Sequence, residues 1–190
     1  MIAWKDVFAN DRPVELEIGA GKGTFLLAIA QNVPERNFIG IEYASAYADF
    51  AADRLRRHKA ENARMVKAEA SWWIRCHVPS ESLLAVHIYF PDPWPKTRHH
   101  KRRLIQLPFL KEVTRILVPG GKLRLVTDHV DYFAQMKKVL GLQSDLEVVP
   151  FDSPIPVSDA IVGTNFERKY IAEGRTFNSI SVVKRGVKMG

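Results

Sequence analysis

The chain has 190 residues, 46% hydrophobic and 26% charged, enough for one substantial core and too few for two comfortable domains, so a single domain over 1–190 is expected. Its net charge of +7 and isoelectric point near 9.6 favour a polyanionic partner. One cysteine, Cys76, excludes an internal disulfide, no apolar run approaches the roughly 20 residues of a membrane span, and the opening Met1-Ile-Ala-Trp-Lys-Asp lacks the basic-then-apolar order of a secretion signal; a cytoplasmic protein without a membrane partner is expected.

In chain order, Val14–Ile18 alternates apolar and acidic residues and runs into Gly19-Ala-Gly21-Lys-Gly23, after which Phe25, Leu26, Ile29 and Ala30 carry helical spacing. That is a strand, a glycine turn and a helix, whose opening amides and positive dipole end suit a nucleotide-like ligand. The spacing lacks the last small residue of the dinucleotide fingerprint, and no Gly-Lys-Ser/Thr follows, which disfavours a dinucleotide or a nucleoside triphosphate. A second strand, 38–42, ends in Glu42, 19 residues beyond Gly23, the distance at which a second-strand carboxylate meets ribose hydroxyls.

Ala44, Tyr47, Ala48, Ala51 and Leu55 mark one face of a helix whose basic end, 54–59, complements its dipole. Residues 63–67 read as a third strand with Glu69 at its end; Trp72 and Trp73 are expected to pack in the core or as a lid. Leu83–Tyr89 is a buried strand stopped by proline. A helix is expected over 107–117, with Pro108 in its first turn, then a sharp turn at 119–121 into a strand over 122–128. A helix over 130–142 and a looser stretch from Pro150 lead to Thr164-Asn165-Phe166-Glu167, and a last strand near 177–183 closes the sheet.

This alternation predicts an α/β fold, a Rossmann-like doubly wound, mostly parallel sheet with an antiparallel last strand. Ligands in such sheets lie outside the strand carboxyl ends, and Glu17, Glu42, Glu69, Asp92 and Asp128 all fall on that edge. The six histidines show no ligand spacing with acids, so no metal is expected.

Residues 90–103 concentrate the chemistry. Pro91, Pro93 and Pro95 remove backbone donors and fix φ, so Asp92 and Trp94 stand on a stiff loop. Lys96, Arg98, Lys101, Arg102 and Arg103 follow, with His99 and His100, a concentration of donors suited to phosphate oxygens. A merely solvated basic turn has no need of an acid locked between prolines beside a tryptophan.

Glu17-Ile-Gly-Ala-Gly-Lys-Gly, Gly40-Ile-Glu42, the block 90–96 with its basic tail 98–103, Thr127-Asp128 and 164–167 together resemble the tRNA (guanine-N7-)-methyltransferase family, over most of the chain. The proline-tryptophan block is specific; the glycine turn is common to many methyltransferases. The resemblance implies a class I methyltransferase fold, S-adenosylmethionine as cofactor and tRNA as partner, with methylation of a guanine in the variable loop. It implies that Glu17, Gly19, Gly21, Gly23, Glu42 and Glu69 hold the cofactor, Glu42 at the ribose and Glu69 near the adenine. Asp92 would stand at the catalytic junction, with Lys96, Asp128, Thr164, Asn165, Phe166 and Glu167 on the substrate. Glu69 stands where the family commonly has Asp, and Asn165 where a basic residue is frequent. Two other readings stay open here: an exocyclic-amine DNA or RNA methyltransferase, whose Asp/Asn-Pro-Pro-aromatic loop is similar to Asp92-Pro-Trp94, and a non-catalytic RNA-binding subunit of the same fold.

Overall fold

The computed structural model describes residues 1–155, 172–173 and 176–186. Five parallel strands, β1 (Val14–Ile18), β2 (Asn37–Glu42), β3 (Ala63–Lys67), β4 (Leu83–Tyr89) and β5 (Leu117–Thr127), are joined to β6 (Leu146–Val149) and β7 (Asn178–Lys184) in the order β3-β2-β1-β4-β5-β7-β6. β7 is antiparallel to both of its neighbours. The expected strands are therefore present, and β6, four residues with too little alternation to read, is an addition.

Among the described residues six helices, α1 (Trp4–Phe8), α2 (Thr24–Asn32), α3 (Ser45–Arg57), α4 (Ala70–His77), α5 (Leu107–Ile116) and α6 (Val130–Leu140), flank the sheet, with a 3-10 segment at Thr97–Arg102. The strand pleat sorts the core. Leu16, Ile18, Val86 and Ile88 face the side covered by α4, α5 and α6, where Trp73, Ile74, Leu110, Val113 and Met136 pack; Phe38, Tyr89 and Val126 face α2 and its Phe25, Leu26 and Ile29. Trp73 is thus a core residue and Trp72 is exposed. The turn expected at 119–121 is a bulge inside a longer strand, because Leu117 already pairs with Leu83 before Lys122 pairs with Ala85.

The acids of β1 do not face water. Glu15 is buried between Arg36 (Nη1 to Oε1, 2.5 Å) and His87 (Nε2 to Oε2, 2.7 Å), and His87 Nδ1 lies 2.8 Å from the Tyr89 hydroxyl. Burial alone would push the Glu15 carboxyl up, yet the bonds from His87 and Arg36 outweigh it and hold it at about 2. Burial likewise drives the His87 pKa down, so the imidazole is neutral; it donates from Nε2 to the carboxylate and accepts at Nδ1 from Tyr89. That chain fixes the aromatic ring that ends β4 beneath the strand-end loops.

Gly23, which opens α2, shows why the turn needs glycine there. Its φ is +68°, and a Cβ would stand 2.8 Å from Ala51 Cβ and 3.3 Å from Ala51 Cα on α3. Gly23→Ala is expected to destabilise the protein by roughly 2 kcal/mol or more, combining left-handed strain with overpacking; equilibrium denaturation against the parent is the check.

Candidate active site

The ends of β1, β2 and β4 and the turns that follow them enclose a cleft of about 490 Å3, lined by Gly19, Gly21, Glu42, Tyr47, Asp92 and Trp94 among others. A larger hollow of about 680 Å3 opens at the amino end of β3, lined by Arg56, Lys59 and Arg64, away from the strand-end acids.

Glu42 organises one wall. Its Oε2 accepts from Gly21 N–H at 2.9 Å and its Oε1 from Ala44 N–H at 2.8 Å, while Gly19 and Ala20 both donate to Ile41 O. The glycine turn is thereby sewn to the end of β2. Gly21 has φ +53°, and a Cβ added there or at Gly19 would meet nothing within 4 Å, so bare backbone faces open space at the cleft.

Glu17 lies behind this turn, 5% exposed, with Oε2 buried and without a partner among the described residues. Burial, reinforced by the nearby Glu42 charge and only partly relieved by the Leu26 backbone, pushes its carboxyl up to about 8. Glu17 is therefore a proton-bearing acid at neutral pH.

The opposite wall is the proline loop. Phe90 and Trp94 both have positive φ, 52° and 42°, an arrangement of order 1–3 kcal/mol in strain per residue that persists only when surroundings impose it. Phe90 N–H is bonded to Val126 O, and Asp92 is exposed at the cleft mouth. Arg103 supplies the other restraint: Nε donates to Pro93 O at 2.8 Å, Nη1 to Gln135 at 2.7 Å and Nη2 to Asp131 at 2.6 Å, and the guanidinium lies over the Tyr132 ring.

This corrects the expectation for Arg103. With its side chain 1% exposed and its donors engaged within the fold, it is a structural strut and not a phosphate contact. Lys96, Arg98, Lys101 and Arg102 remain exposed, and Arg102 lies 4.9 Å over the Trp94 ring at the cleft. Glu69 has a local role. It is the N-cap of α4, accepting from Ser71 N–H and Trp72 N–H at 2.9 and 2.6 Å, and it borders a separate hollow of about 330 Å3. Gly23 is buried against α3 instead of lining the cleft. Asp128 stands just past β5, the next strand end over from Asp92. Thr164, Asn165, Phe166 and Glu167 lie outside the described residues. The sequence reading missed Tyr43, which also lines the cleft, and assigned Tyr47 only to a helix face; an aromatic directly after the second-strand acid was the available signal.

Residues 11–180 match a family model described as "Putative methyltransferase". The fold is shared with a SAM-dependent methyltransferase from Aquifex aeolicus at a TM-score of 0.63 and 13% identity, covering 95% of this chain and 87% of that one. The sheet is that of the class I methyltransferase fold, and the family match makes the chain a methyltransferase. The tRNA (guanine-N(7)-)-methyltransferase of Syntrophotalea carbinolica is 34% identical over 181 residues, covering 92% of this chain and 75% of the relative. That of Nitrosomonas eutropha is 36% identical over 179 residues, covering 94% and 79%. The chain belongs to the tRNA (guanine-N7-)-methyltransferase family.

The residues present fit the cofactor: open backbone at Gly19 and Gly21, a carboxylate at Glu42 and the unpartnered buried oxygen of Glu17 offer space and acceptors to a ligand carrying hydroxyls and an ammonium group.

Two expectations follow. Folded Glu17 keeps its proton to about pH 8, whereas the unfolded chain releases it near 4.5, so ligand-free stability declines as pH rises from about 4.5 to 8 and then levels. Glu17→Gln removes this decline, of order a few kcal/mol; the difference in melting curves between parent and variant from pH 5 to 8.5 isolates it, and equal slopes would reject the assignment. Arg103→Ala is expected to cost about 2–4 kcal/mol in denaturation, while Arg98→Ala stays within about 0.5.

Proposed function

We propose that this chain transfers the methyl group of S-adenosylmethionine to N7 of a guanine in tRNA. The observation that carries the reading is the cleft itself, in which Gly19, Gly21 and Glu42 face Asp92 across the ends of adjacent strands. Family membership supplies the substrate, and the exposed Lys96, Arg98, Lys101 and Arg102 beside the cleft suit its phosphates.

When bound, the cofactor supplies an electrophilic sulfonium methyl, which the in-plane lone pair of N7 takes while the carbon–sulfur bond breaks and its electron pair stays on sulfur. Guanine N7 carries no proton at neutral pH, so the chain needs no general base there; its task is positioning. Glu42, already holding Gly21 and Ala44 amides, offers its remaining lone pairs to the ribose hydroxyls. Glu17, buried beneath the turn, offers its unpartnered oxygen to the cationic amino-acid end. Glu69, engaged at the α4 cap, orders the chain beside the adenine side of the cleft. Asp92 accepts hydrogen bonds from the guanine N–H edge, and its charge offsets the positive charge that grows on the base. Asp128 and residues 164–167 complete the substrate side. Helices among the described residues are too short or too polar to cross a membrane, and a cytoplasmic location accords with a tRNA substrate.

Incubation with S-adenosylmethionine and unmodified tRNA, followed by nucleoside mass spectrometry, should yield 7-methylguanosine; N6-methyladenine or N4-methylcytosine would refute the reading. In single-turnover transfer at saturating cofactor and tRNA, Asp92→Ala should lose roughly 10²-fold or more while still binding cofactor. Asp92→Asn should remain impaired, because it keeps the loop shape without the charge.

A further inference from the structure

The basic segment 96–102 accounts for one side of the cleft. The other side carries an unassigned feature on α3. Tyr47, Phe50 and Arg54 recur at i, i+3 and i+7, one stripe of a helix, and the two rings are 49% and 41% exposed. Lys22, from the glycine turn, reaches over both rings, 5.8 Å from the Tyr47 centroid and 5.7 Å from that of Phe50; the Arg54 guanidinium lies 5.2 Å from the Phe50 centroid. Arg54 is anchored in turn by a 2.6 Å bond from Nη1 to Thr24 Oγ1.

Neither Lys22 nor Arg54 is paired with a carboxylate among the described residues, in contrast to Arg56 and Arg57, both engaged by Asp53. Two exposed rings interleaved with two unneutralised cations make poor protein surface and a good nucleic-acid surface: bases stack on rings of any sequence, and the cations meet the phosphates between them. Duplex bases are already stacked, so the fitting partner is an unpaired stretch of RNA. The stripe is continuous with the site, since Tyr47 lines the cleft and Phe50 lies one helical turn, about 5 Å, farther out.

We infer that the Tyr47–Phe50 face of α3, with Lys22 and Arg54, is a stacking platform for unpaired nucleotides flanking the methylated guanine, so that the RNA is held on both sides of the cleft. This rests on the tRNA methyltransferase reading and assigns the substrate a second surface.

The test uses the full chain, an unmodified tRNA transcript and Phe50, which lies outside the cleft lining. Phe50→Ala should weaken tRNA binding roughly ten-fold, the scale of one lost base stack, with an unchanged salt slope and unchanged S-adenosylmethionine affinity. Phe50→Trp should bind as the parent, whereas Phe50→Leu should be as weak as Ala, because it keeps apolar area and loses the π face. Lys22→Gln should instead reduce the slope of log K against log salt by about 1. Parent-like binding by Phe50→Ala would overturn the inference. So would full recovery by Leu, or a dimer dissociated by Phe50→Ala in sedimentation, since both mark a protein-docking face. A parent chain that neither binds nor methylates tRNA would overturn the functional reading and this inference with it; a parent that methylates beside indifferent Phe50 variants would overturn the inference alone.

Discussion

A single guanidinium withdrawn from water holds the catalytic side of this molecule together. Desolvating Arg103 costs several kcal/mol, and the cost is offset because its donors meet the Pro93 carbonyl, Gln135 and Asp131 while its face covers Tyr132. Asp131 answers from a solvated position, its carboxyl held below the usual range by the Arg103 bond. Tyr132 accepts the Ile105 amide, and Gln135 donates to the Ile105 carbonyl, so α6 holds both backbone groups of Ile105 just before α5. The left-handed Phe90 and Trp94 are tolerable because this frame and the Val126 carbonyl leave the loop nowhere else to go.

On the other wall the same economy of charge appears in acids. Glu42 is spent partly on the turn it shapes, and its charge raises the cost of ionising buried Glu17. Burial, with that charge beside it, keeps the Glu17 carboxyl protonated in neutral solution. An arriving ammonium group would find in Glu17 both an acceptor and a proton to displace.

Most of this architecture was legible. The alternation of short apolar runs with helical spacing located five strands, and the carboxyl-edge rule located Glu42 and Asp92 in one cleft. What resisted reading has specific physical causes. Arg103 carries the residue type of a phosphate site, yet it is consumed locally by a carbonyl ten residues back and by α6, and Glu69 also caps a helix start; sequence does not show which partner reaches a side chain first. α4 was hidden because its Trp-Trp pair straddles the helix, one ring inward and one out. Tyr47 reads as an ordinary helix residue and Phe50 carries no signal in the sequence, since only the position of the glycine turn reveals that a lysine lies over them.

The insertion of β7 between β5 and β6 has a consequence for biogenesis. Strands β1 to β5 and their helices can associate as the nascent chain emerges, but β5 then ends in an open ladder and β6 has no neighbour to pair with. Both edges wait for residues 178–184, made more than fifty residues after β5 is complete. Until then the unpaired edge of β5 is a template for a second molecule, so the interval before β7 docks is when this protein is most exposed to misassembly.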